Sequence, residues 1–80
     1  MVYYAVQYRT LNGMFVDTDA KERQGKWSRL SDAKTWRRIM HEQSEHEAER
    51  RGETSKLVTR IVRINDAQVW GSRYYLAVID

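Results

Sequence analysis

An 80-residue chain has room for one domain, and at this size folding withdraws only about 60% of the unfolded surface from water. There is no cysteine, which excludes a disulfide framework, a thiolate metal site and a cysteine nucleophile. Fourteen Lys and Arg against eleven Asp and Glu leave +3, and a composition 41% hydrophobic and 31% charged is that of a globular chain, not a disordered one.

The charge is unevenly spread. Residues 21–40 carry Lys21, Arg23, Lys26, Arg29, Lys34, Arg37 and Arg38 against Glu22 and Asp32, for +5. Residues 41–54 carry Arg50 and Arg51 against Glu42, Glu45, Glu47, Glu49 and Glu53, for −3. A basic middle beside an acidic stretch steers association and orients a molecule on its partner. No apolar run approaches the roughly 20 residues that span a bilayer, and Met1 opens no signal-peptide pattern. The expectation is a single cytoplasmic domain over residues 1–80 with no membrane partner.

Residues 2–10 alternate at the strand period, with Val2, Tyr4, Val6 and Tyr8 on one face and Tyr3, Gln7 and Arg9 on the other. Asn12-Gly13 predicts a type I′ turn, and Met14-Phe15-Val16 starts a returning strand. Residues 19–30 lack a clean period and read as a loop, with room for a short extension of the second strand around Lys26 and Trp27. Ser31 has the character of an N-cap, with Asp32 in the first turn. The helix that follows places Ala33, Trp36, Ile39 and Met40 on a buried stripe. Its basic end and Gly52 predict a stop near Arg51. Past Met40 the apolar stripe lapses, so the second half is expected to project as a charged arm.

Lys56–Ile64 reads as the third strand, with apolar residues on both faces. Asn65-Asp66 and Gly71-Ser72 are turn signals, and Arg73–Ile79 is the last strand, with Val69 and Trp70 before it as a pairing segment or plug. The fold class is therefore α+β, ββαββ or ββαβ. One long helix packs on one face of an antiparallel sheet of three or four strands. The second face is expected to lie open.

Few residues suggest chemistry. His41 and His46 stand at i and i+5, about 140° apart on a helix, whereas the zinc-protease motif needs i and i+4. Glu42, His46 and Glu49 do share a face, but the plainer reading is a solvated helix laced with i,i+4 pairs. No nucleophile elbow or glycine-rich phosphate loop occurs. The expectation is a protein without catalysis, metal or cofactor.

Binding has more to draw on. Arg23, Lys26, Trp27, Arg29, Arg37 and Arg38 make one candidate patch, with Trp27 as packing anchor. Arg60, Arg63 and Arg73 make a second, on the sheet beside Tyr3 and Tyr75. Aromatic and arginine side chains on an open sheet are also a platform for stacking single-stranded bases. For Trp36 the plainer reading is core, and for the basic stretch a solvated surface.

Three stretches, VQYRTLNGMFVDTD, LSDAKTWRRIM and LVTRIVRI, are similar in pattern to small single-domain proteins encoded by phages and mobile elements. Among these the chain most resembles an anti-CRISPR inhibitor. That resemblance implies binding to a CRISPR surveillance complex at its DNA-recognition surface, without cofactor. Members of that group share no common motif, so no binding residue carries over by position. Many are acidic DNA mimics, and this basic chain departs from them. Direct, sequence-tolerant binding of single-stranded nucleic acid is the alternative, and a homodimer through the open face or an edge strand is compatible with either.

Overall fold

The computed structural model describes residues 2–18, 26–66 and 73–80, with backbone alone for 65, 66 and 73–76. The element order is β1 (Val2–Arg9), β2 (Phe15–Asp17), β3 (Lys26–Trp27), α1 (Leu30–Arg50), β4 (Thr59–Asp66) and β5 (Arg73–Val78). The α+β class holds, with five strands in place of three or four. All pairings are antiparallel, in the order β2-β1-β4-β5. β2 pairs with Gln7–Arg9, while β3 pairs with Tyr4 and Ala5 on the same edge. The possible strand at Lys26 is therefore separate from β2 and completes the edge of β1.

The first turn differs from the expected two-residue form. Gly13 N–H donates to Thr10 O and Thr10 N–H to Met14 O, which closes a three-residue loop of Leu11, Asn12 and Gly13. Only the last position needs a left-handed backbone, and Gly13 supplies it with φ +84°.

The helix starts two residues early, and its N-cap is Arg29 in an extended conformation, not Ser31. Arg29 makes no side-chain capping bond, and its carbonyl accepts from Ala33 N–H. The stop is as expected. Gly52 adopts φ +70°, Gly52 N–H reaches Glu49 O and Glu53 N–H reaches Ala48 O, the two bonds of a Schellman motif.

The second half of α1 is not a free arm. The chain from Glu53 to Val58 returns beside it, Ala48 is buried, and Ser44 and Ser55 share a hydrogen bond of 2.7 Å. His41 Nε2 and Thr59 Oγ1, also 2.7 Å apart, tie the helix to the first residue of β4. The irregular returning segment lies against one side of the helix only, and most of residues 42–50 stay exposed.

Two clusters make the core, one on each side of the sheet. On the helix side Val6, Ile61, Trp27 and Ala33 are buried, with Tyr4, Leu30, Trp36 and Met40 packed around them. On the other side Tyr3, Ala5, Val62 and Ile64 are buried, Val62 to 1% and Ile64 to 0% exposure. The expected open face is thus closed along β1 and β4. The mixed pattern of LVTRIVRI follows from this: β4 is an inner strand with both faces buried, so apolar residues stand at even and odd positions alike. The turn expected at Asn65-Asp66 is instead the end of β4, whereas Val69-Trp70 and Gly71-Ser72 lie outside the described residues.

Candidate functional site

Residues directly opposite in paired strands share a face of the sheet. One such row runs Trp27, Tyr4, Arg63, Ala77 from β3 through β1 and β4 to β5, on the helix side. Burial falls along it: Trp27 is 7% exposed, Tyr4 half-buried, and Arg63 and Ala77 exposed. The helix therefore sits over β3, β1 and the Thr59–Ile61 start of β4, and leaves Arg63 and the described end of β5 exposed. The result is a ledge with Arg63, Ala77 and Ile79 on its floor.

The helix supplies the wall. Arg37 leans onto the floor, where Nη2 donates to Asp80 Oδ2 at 2.8 Å and Nη1 to Asp80 O at 3.3 Å. This hydrogen bond, and then the charge behind it, lowers the Asp80 carboxyl below its ordinary value of 3.8; slight burial opposes this and Lys34 adds a smaller pull downward. Lys34 thus lies on the ledge side of the helix. Arg38, four residues on, stands about 40° from Lys34 around the axis and continues that stripe. It is 70% exposed, with Glu42 only loosely engaged at 3.9 Å. Among the described residues, Lys34, Arg37 and Arg63 border the ledge with Asp80 as their carboxylate, while Arg38 and Glu42 stand above it on the exposed side of the helix.

Local helix stability does not account for this arrangement. The helix macrodipole favours acids at the start and bases at the end, worth about 0.3–1 kcal/mol each. Here Arg29 occupies the N-cap and Glu47 and Glu49 lie in the closing turns, against Asp32 and Arg50 in the favourable sense.

The first expected patch is divided. Arg37 lies on the ledge, Arg38 stands above it on the exposed side of the helix, and Arg29 is exposed at the start of the helix. Lys26 turns to the opposite side of the sheet, with Nζ 5.0 Å from the centre of the Tyr3 ring. Trp27 is not a surface anchor: it is buried and stacked on Trp36 at 6.0 Å, because its strand pairs beneath the helix. Arg23 lies outside the described residues.

The second patch is divided as well. Arg63 is on the ledge, while Arg60 projects from the other face, as strand alternation requires. Arg60 Nε donates to Gln7 Oε1 at 2.8 Å, Gln7 Nε2 donates to Asp17 Oδ1 at 2.8 Å, and the guanidinium covers the Phe15 ring at 4.0 Å. This chain ties β4, β1 and β2 together, and Arg60 serves the fold. Arg73 opens β5, where the backbone alone is described.

Sequence reasoning missed Lys34 and Asp80. The signal for Lys34 was its i,i+4 spacing to Arg38, whereas no local pattern links Asp80 to Arg37 across 43 positions. Among the described residues no cluster of His, Asp and Glu could hold a metal ion, and no helix is long and apolar enough to cross a membrane. No family model matches the chain, and neither a curated protein nor a solved structure matches it.

Proposed function

We propose that this protein is a non-catalytic interaction module of the anti-CRISPR kind. It acts in the host-cell cytoplasm by occupying an anionic surface of a CRISPR surveillance complex and thereby blocking recognition of target DNA. The observation that carries this reading is the ledge and the helix face above it, where Lys34, Arg38 and Arg63 are exposed and, among the described residues, outnumber the carboxylates beside them. Such groups make charge-assisted hydrogen bonds to carboxylates and phosphates. They also raise association rates with an oppositely charged face.

The alternative, direct stacking of single-stranded bases, has less support. Tyr3 and Trp27 are 6% and 7% exposed, and the cations Lys26 and Arg60 already cover the rings of Tyr3 and Phe15. Among the described residues, what remains for nucleic acid is phosphate contact at the ledge.

The test is a titration of purified surveillance complex with the protein, read as loss of target-DNA binding in a gel shift. Lys34→Glu combined with Arg38→Glu should remove the inhibition while the circular dichroism melt is preserved. Inhibition that survives the double reversal overturns the ledge as the site. Binding of free single-stranded oligonucleotide at micromolar affinity, with a steep fall between two salt concentrations, favours the alternative.

A further inference from the structure

Ile79 N–H donates inward to Ile61 O at 2.8 Å. Backbone groups alternate along an antiparallel strand, so the N–H of Val78 points away from β4. β5 is the last strand in the sheet order, and among the described residues nothing pairs with its outer edge. Edge strands are ordinarily blunted by proline, lysine or an inward charge. The stretch from Tyr74 to Ile79, YYLAVI, has none of these. It ends with Ala77, Val78 and Ile79 all exposed, beside the basic ledge.

From this juxtaposition of a strand edge with a wall on which, among the described residues, cations outnumber carboxylates, we infer that β5 takes on an added strand from an acidic, extended peptide segment of a partner protein. Main-chain hydrogen bonds to the outer edge supply affinity, and alternate carboxylates of the peptide reach Arg63, Lys34 and Arg38. A second copy of this chain is the poorer occupant. Antiparallel pairing of two β5 edges puts both helices on one side of the joined sheet and brings the two ledges together, cation against cation. A nucleic acid satisfies the wall but offers no strand to the edge. The inference rests on the proposed role of the ledge and adds to it how the partner docks.

The probe is a short capped peptide of alternating glutamate and valine, titrated into the folded chain by fluorescence anisotropy. It should bind, and the same peptide N-methylated at every second residue, which loses one edge of donors, should bind at least about tenfold more weakly. Val78→Pro removes an outward donor while sparing the ladder to β4, and should weaken binding about tenfold with an unchanged far-ultraviolet spectrum. Arg63→Glu should weaken it by at least as much. Equal binding of the methylated peptide, or no effect of Val78→Pro beside a strong effect of Arg63→Glu, overturns strand addition and leaves the ledge standing. Binding that ignores Arg63→Glu overturns both. Tighter binding of a single-stranded oligonucleotide of equal charge also overturns the peptide as occupant.

Discussion

Arg37 holds Asp80 by two separate oxygens, 2.8 Å to the carboxylate and 3.3 Å to the main chain, and so fastens the chain after β5 to the middle of the helix. The folded Asp80 carboxyl has a lowered pKa, so its contribution to stability is full above 3.8 and is lost as pH falls through the still lower folded value. Denaturant midpoints of the native chain and Asp80→Asn should therefore differ at neutral pH and converge below 3.8. A difference that persists unchanged into strong acid contradicts the pairing.

The closed second face makes a direct prediction about the core. Ile64→Ala should cost about 2–5 kcal/mol, the same range as Ile61→Ala on the helix side. In a domain of this size either loss approaches the whole margin, so Ile61→Val and Ile64→Val, at about 0.5–1.5 kcal/mol, give the measurable pair. Urea titration checks this. A negligible cost at Ile64 against a full cost at Ile61 contradicts a two-sided core.

Gln7 is only 2% exposed and links Asp17 to Arg60. Gln7→Ala should destabilise by about 1–3 kcal/mol, because it strands polar groups that the fold has withdrawn from water. A double-mutant cycle of Gln7→Ala with Arg60→Ala should return a coupling of about 0.5–3 kcal/mol. Additive losses refute the network.

Gly52 is held in the left-handed region, and a methyl group placed on its α-carbon would meet nothing within 4 Å. The cost of Gly52→Ala is thus one of backbone strain, about 1–2 kcal/mol, and Gly52→Asn should recover part of it. Thermal melts should separate the two by several degrees in a chain this small, about 4–8 °C per kcal/mol.

Local signals were legible where local physics decides the outcome. The alternation of residues 2–9 and the Gly52 stop follow from rules that act over a few residues. The Asn12-Gly13 turn was placed correctly but given the wrong loop length, since Thr10 and Met14 close it through their own backbone bonds. The burial of Trp27 was not legible, because it depends on a two-residue strand that finds β1 and then lies under the helix. The period of two already puts Arg60 and Arg63 on opposite faces, but that one joins a structural network and the other borders an exposed ledge depends on partners distant in sequence. The closed second face was hidden for the same reason: mixed apolar residues on β4 suit an inner strand or an ambiguous one, and only the sheet order decides.

The inner pairing of the sheet joins residues 2–8 to residues 59–65, partners that lie 51 to 63 positions apart. A sheet whose central seam spans so much sequence closes late, because the loop entropy is lost before the seam rewards it. During synthesis, then, β1 has its hairpin, β3 and α1 for company but lacks its inner neighbour until β4 has cleared the exit tunnel. In that interval Val6 and its neighbours are exposed to chaperones, and to the strands of other nascent copies.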